Sequence, residues 1–188
     1  MLASPLPHSA GFHLQAALMQ GARVRLFERF EAGEVCLQSS YTLRGYHADP
    51  EQTAAAFYPL RWLRTGDLGY LAESGHLFLV DRAKDMVISG GMNVYTAEVE
   101  QAIAELAGVR QVAVIGVPHP DWGEAVTACV VREGASPQPE AILAHCRARL
   151  SRYKVPKRIE FAPHLPLTVY GKVDKKRLRA KLAADPQG

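Results

Sequence analysis

VRQVAVIGVPHPDWGEAVTACVVRE, residues 109–133, decides how this chain is read. Two apolar runs, VRQVAVIGVPH and EAVTACVVRE, stand on either side of PDWG, a turn-forming group. Such runs predict two neighbouring strands in a sheet with at least one well-covered face. Before them, TAEVEQAIAELAG repeats apolar residues at Val99, Ile103 and Leu106, a helical spacing. Thr96 is the expected N-cap, and Glu98 and Glu100 put negative charge in the first turn, where the helix dipole favours it. After them, SPQPEAILAHCRARL predicts a helix, PKRIEFAP a strand and VDKKRLRAKLAA a last helix that starts near Asp174. RAKDMVISGGMNVY adds a strand, a turn at Gly90–Gly91 and a strand in front. The sum is a compact α+β unit with a three-stranded sheet and flanking helices.

Upstream the pattern differs. GEVCLQS reads as a strand, and YTLRGYHADPEQTAAAF as a turn and a short helix with Asp49 at the N-cap and Pro50 at N1. WLRTGDLGYLAESGHLFLVDR carries turn signals at Gly66–Asp67 and Ser74–Gly75 around two short strands. ARVRLF alternates as a strand does, and FHLQAALMQG suits a helix closed by Gly21. Two domains are expected, 1–84 and 85–188, with the boundary near Lys84. The first is a partial, β-rich piece, and its residues 1–30 are too few to bury a core of their own.

Composition narrows the classes. With 188 residues, 48% of them apolar, and no stretch of eighteen apolar residues, the chain suits a globular fold and not a membrane span. No basic leader precedes a long apolar run, so no secretory signal is expected. Cys36, Cys129 and Cys146 lie far apart, with neither metal-ligand nor disulfide spacing; reduced thiols in the cytoplasm are the expectation. No metal cluster, Walker-type phosphate loop or catalytic triad is legible; His8, His13, His119 and His164 lack a Ser or Cys partner. The net charge of +3 is uneven, because residues 147–181 hold twelve of the 22 Lys and Arg against Glu160 and Asp174 alone. That stretch lacks interleaved aromatics and is broken by Pro156, Pro163 and Pro166, which argues against nucleic acid. A solvated basic face and a phosphate-bearing small ligand both remain open.

Three short motifs hold residues with chemical potential. Asp67 in RTGDLGY either caps its own turn or accepts the two vicinal hydroxyls of a ribose, with Arg82 one hairpin later on the same sugar or a phosphate. Gly90 and Gly91 in SGGMN form a turn against which an extended ligand can lie on the backbone. Lys172 follows Gly171 in an exposed loop before the last helix.

Taken in order, these segments resemble the adenylate-forming superfamily, the AMP-forming acyl-CoA synthetases with their luciferase and peptide-synthetase relatives. WLRTGDLGYLAESGHLFLVDRAKDMVISGGMNVYTAEVE is similar to their central signature, and GVPHPDWGEAVTACVV, SRYKVPKRIEF and LPLTVYGKVDKKRL to their small C-terminal domain. ISGGMNVY looks most like fatty-acyl-CoA ligases. The resemblance covers residues 33 to about 182. It implies that Asp67 binds the ATP ribose with help from Arg82, and that Lys84 is the hinge between two half-reactions. It further implies that Gly90 and Gly91 line the pantetheine path and that Lys172 is the adenylation lysine. ATP, Mg²⁺ and CoA would be the cofactors and a carboxylic acid the substrate.

Family members also carry a Ser/Thr/Gly-rich phosphate loop, an acyl pocket and a Mg²⁺-binding Glu that have no counterpart in this sequence. Residues 5–30 resemble an earlier segment of the large domain, and the resemblance implies an internal deletion that joins this segment to Gly33. The expectation is therefore a ligase by descent, inactive alone and a weak nucleotide binder. The alternative is a non-catalytic remnant, or a small domain that complements a separate large adenylation domain in trans.

Overall fold

The computed structural model describes residues 21–27 and 32–184. The helix expected in FHLQAALMQG, the loop around His8 and Gly11, and Phe30 and Glu31 of the junction at 30–33 lie outside the described residues. The chain divides into two compact units, Met1–Lys84 and Asp85–Gly188.

In the first unit five strands form one antiparallel sheet: β1 Arg23–Phe27, β2 Gly33–Gln38, β3 Phe57–Tyr58, β4 Trp62–Leu71 and β5 Leu77–Arg82. The ten-residue β4 is its spine, paired with β2 along one edge and with β3 and β5 along the other. Val35, Leu77 and Leu79 are its buried cluster, with Val24, Leu26 and Leu37 packed against them. Helix α1, Pro50–Ala55, begins as the sequence predicts: the Asp49 side chain accepts from the Gln52 N–H at 2.8 Å, and Pro50 occupies the first turn.

One expectation is corrected here. Gly66–Asp67 is not a turn between two short strands; β4 runs through it as a bulge. The Gly66 φ of +73° and bonds from distant residues, described below, hold that bulge open. Ser74–Gly75 does close the hairpin to β5, with Gly75 N–H on Ala72 O at 2.8 Å.

The second unit contains β6 Val87–Ser89, β7 Met92–Val94, α2 Thr96–Ala104, β8 Val109–His119, β9 Gly123–Arg132, α3 Pro139–Arg149, β10 Arg158–Phe161 and α4 Lys175–Ala183. Strands β8 and β9 form the expected hairpin across PDWG, paired from Val109↔Arg132 to His119↔Gly123 with one register shift between Val109 and Gln111. Strand β10 lies parallel to β9, a pairing that needs a crossover, which α3 supplies. The sheet has five strands, ordered β10-β9-β6-β7 with β8 on β9, and not three. The short β6 joins β9 through a single register pair, Ser89↔Gly123, which local patterning does not reveal.

Alternation along β8 and β9 splits their side chains between two cores. Val114, Val126, Ala128 and Val130 face α2 and α3 through Val99, Ile103, Ile142 and Cys146. Ala113, Ile115, Val117, Cys129 and Val131 face Leu178 and Leu182 of α4 and Leu165. The sheet is covered on both faces, and each fully buried Val or Ile contributes about 1.5–3 kcal/mol.

A second correction concerns Thr96. Tyr95 occupies the cap position and makes no side-chain cap bond, while Thr96 is the first helical residue and fully buried. Its hydroxyl accepts from Lys175 Nζ at 2.8 Å.

Candidate functional site

Asp67 and Arg82 are brought together by strand register, facing each other across β4 and β5. Arg82 Nε lies 3.2 Å from Asp67 Oδ1. The Asp67 side chain is 12% exposed and that of Arg82 45%, so a shielded carboxylate is paired with a guanidinium that reaches solvent. Around them the backbone is fixed: Ala83 N–H donates to Gly66 O at 2.8 Å, and Asp67 N–H to Thr65 Oγ1 at 3.1 Å. A carboxylate set this way accepts hydroxyl donors, and the half-open guanidinium has donors left for an anion.

The remaining candidates belong to the second unit or to the boundary. Lys84, exposed in the turn after β5, is the last residue of the first unit. Asp85, the next residue, is paired with Arg179 of α4 at 3.2 Å. Gly90 and Gly91 form the β6–β7 turn with φ of +58° and +77°, values that side-chain-bearing residues rarely adopt. Both are exposed. Gly90 N–H donates to Trp122 O at 2.9 Å, and a Cβ on Gly90 would stand 3.1 Å from the Trp122 ring. Beneath this turn Glu124 Oε2 accepts from Ile88 N–H at 2.8 Å. Gly116 makes room for that carboxylate, since a Cβ there would lie 2.8 Å from Glu124 Oε1.

Lys172 sits in a tight loop. A bridge between Leu167 and Val173 closes it, Thr168 N–H donates to Lys172 O at 2.7 Å, and Gly171 N–H donates to Thr168 O at 2.9 Å. Its backbone is held while its side chain is exposed, and Val169 and Tyr170 beside it are 93% and 87% exposed. The loop feeds α4, whose N-cap Asp174 accepts from Arg177 N–H at 3.0 Å. Lys175 anchors that start, 2.7 Å from Glu100 Oε1. Five of the twelve cations in 147–181 make ion pairs, so much of the basic stretch is structural. Lys154 is one of them: burial pulls its ammonium down, and the hydrogen bond and charge of Glu98 outweigh this and hold it above the ordinary lysine range.

Sequence reasoning overlooked Glu34, Glu124 and the Asp85–Arg179 pair. The one local trace of Glu34 is an acidic residue on the same strand as the apolar Val35, Cys36 and Leu37; its partner Gly66, 32 residues on, is not marked in the sequence. Among the described residues no group of three or more His, Cys, Asp and Glu is arranged to hold a metal, and no helix is long and apolar enough to cross a membrane.

A shielded carboxylate paired with an arginine on a β hairpin is followed along the chain by a small α+β unit with an exposed glycine turn and an exposed lysine. Residues 98–172 match the family model of the AMP-binding enzyme C-terminal domain, so the chain matches the C-terminal part of the adenylate-forming acyl-CoA ligases. Homology of domain and fold supports descent from an AMP-forming acyl-CoA ligase. Among particular relatives, the long-chain-fatty-acid–CoA ligase FadD13 of Mycobacterium tuberculosis is 44% identical over 152 residues, covering 81% of this chain and 30% of its own length. The ATP-bound MatB structure from Rhodopseudomonas palustris superposes with a TM-score of 0.79 at 37% identity, over 87% of this chain and 34% of that one. The amide bond synthetase McbA from Marinactinospora thermotolerans gives 0.76 at 43% identity, over 86% and 34%. The chain thus spans about a third of the length of the proteins it resembles.

Proposed function

We propose that this chain supplies the ribose-gripping and lysine-delivering parts of an AMP-forming acyl-CoA ligase. The reaction is carboxylate, ATP and CoA to acyl-CoA, AMP and pyrophosphate, with a fatty acid as the acid. Asp67 accepts the ribose hydroxyls and Arg82 reaches the same sugar or a phosphate. Lys84 is the pivot between half-reactions, and Gly90–Gly91 lets the pantetheine arm lie along backbone without a side chain in its way. Lys172 brings positive charge to the oxygens on which negative charge grows during adenylation. Mg²⁺ would neutralise phosphate charge, held by groups outside those described here. The reading also puts the chain in the cytoplasm, where its three buried cysteines would stay reduced.

The observation that carries this reading is the shielded Asp67 carboxylate, paired in register with the half-open Arg82. By itself the chain is proposed to be inactive, because positioning of the β- and γ-phosphates needs a phosphate loop that this sequence does not contain. The test is pyrophosphate release over a panel of fatty acids. The chain alone should give none, and addition of the separately prepared large domain of a homologous ligase should restore it. Lys172→Ala should cut the restored rate by at least about a hundredfold, with an unchanged circular dichroism spectrum. Equal restored rates with and without Lys172 would sink its assigned role; release by the chain alone would sink the need for a second domain.

A further inference from the structure

We propose that Glu34 is a positioning residue of the sugar site: its carboxylate holds the Gly66 N–H and so fixes where Asp67 stands. The inference rests on the reading of Asp67 given above. Between the pairs Glu34↔Leu68 and Cys36↔Arg64, strand β2 contributes only Val35, whereas β4 contributes Thr65, Gly66 and Asp67. The surplus must bulge, and a bulge leaves backbone groups without ladder partners. Side chains take up that role. Thr65 Oγ1 donates to Val35 O at 2.6 Å and accepts from Asp67 N–H. Glu34 Oε1 accepts from Gly66 N–H at 3.3 Å.

The carboxylate is itself fixed on its other sides. Arg64 donates to it through Nε at 3.2 Å and Nη2 at 3.1 Å, and Tyr58 Oη donates at 3.1 Å. The Arg64 guanidinium also lies 4.8 Å over the Tyr58 ring. The Glu34 side chain is only 8% exposed, a costly place for a carboxylate unless it is paired and hydrogen-bonded. Well-packed apolar residues would stabilise such a site equally well; what they cannot supply is an acceptor aimed at Gly66. Nothing lies within 4 Å of a Cβ on Gly66, so this glycine serves its φ of +73° and not a shortage of space. That dihedral, one residue before Asp67, sets the direction of the Asp67 side chain.

The full 188-residue chain tests this by amide exchange and shift mapping in NMR. Without nucleotide, Glu34→Ala should speed exchange at Gly66 by about tenfold, while Glu34→Gln, which keeps an acceptor oxygen, changes it less. Tyr58→Phe, which removes one support of Glu34 but leaves the Gly66 bond, is the stability control. Mg²⁺-ATP, 2′-deoxy-ATP and 3′-deoxy-ATP are then titrated. The wild-type chain should bind the deoxy analogues more weakly, and the ratio should fall toward one in Glu34→Ala while Tyr58→Phe retains it. A merely structural glutamate would lower stability and leave the ratio alone, overturning the proposal. If Glu34→Ala does not fold, Glu34→Gln decides on the same ratio: a partial fall supports the proposal, and a ratio equal to that of Tyr58→Phe overturns it. A wild-type chain indifferent to the ribose hydroxyls would overturn the reading of Asp67, and the proposal with it; unchanged Gly66 exchange in Glu34→Ala overturns the proposal alone.

Discussion

At the scale of single residues, burial decides which groups are chemically quiet. All three thiols are free and buried. Burial pushes Cys36 up to about 12, with Glu34 adding to the rise and Arg64 opposing it. It pushes Cys129 up to about 11, again with an acid, Glu160, adding. At pH 8 the reactive thiolate is therefore a fraction of about 10⁻³ or less at either site. The folded chain should fail to react with a disulfide reagent at pH 8, and all three thiols should titrate in guanidinium. The same shifts bear on stability. In the unfolded chain these thiols ionise near 9.0, whereas in the folded chain they hold their protons to about 11 and 12. Their contribution is therefore whole below pH 9 and is lost as pH climbs through that window. The urea midpoint should fall above pH 9, less steeply in Cys36→Ala; parallel curves for the two chains would refute the account.

At the scale of elements, the same physics explains what could be read in advance. Caps and turns are local: Asp49 and Asp174 each precede their helix and each accept a backbone N–H three residues on. PDWG and Ser74–Gly75 announced their hairpins for the same reason. What escaped reading depends on partners far along the chain. The turn after β3 puts Leu60 and Arg61 at φ of +62°, a conformation costing about 1–2 kcal/mol each. Gln38 Nε2 on Leu60 O and Arg61 Nη2 on Leu43 O and Arg44 O hold it, and none of these is visible in the local sequence. The bulge at Asp67 escaped likewise because Glu34 lies over thirty residues away. The candidate residues were legible from motif order, whereas the groups that orient them were not.

Close packing between elements gives a further prediction. A Cβ on Gly69 would stand 2.6 Å from the carbonyl oxygen of Phe78, a backbone atom that cannot swing aside. Gly69→Ala must part β4 from β5 and should cost more than about 2 kcal/mol. Asp174→Ala, which removes only a cap, should cost about 1 kcal/mol. Urea unfolding of the two variants ranks them, and a milder Gly69→Ala would show that the hairpin yields more readily than its packing implies.

At the scale of the whole molecule, each buried cluster among the described residues draws its members from one unit. The three buried residues of the first unit's cluster all precede Lys84, and both clusters of the second unit lie beyond Asp85. Stability grows with buried apolar area, so the second unit, with a sheet covered on both faces, should outlast the first. Two-state unfolding describes single cooperative cores, and two cores of unequal size should melt separately. The sequence supplies its own reporters, because its two tryptophans fall one to each unit, Trp62 in β4 and Trp122 in the PDWG turn. In Trp122→Phe the fluorescence follows the first unit, and in Trp62→Phe the second. The expected result is a lower urea midpoint and a smaller slope for the Trp62 signal. Slope scales with surface exposed on unfolding, so it separates a small unit from a merely weak one. Coincident midpoints and slopes would mean that the units unfold as one, and that the boundary at Lys84 divides the chain in geometry but not in energy.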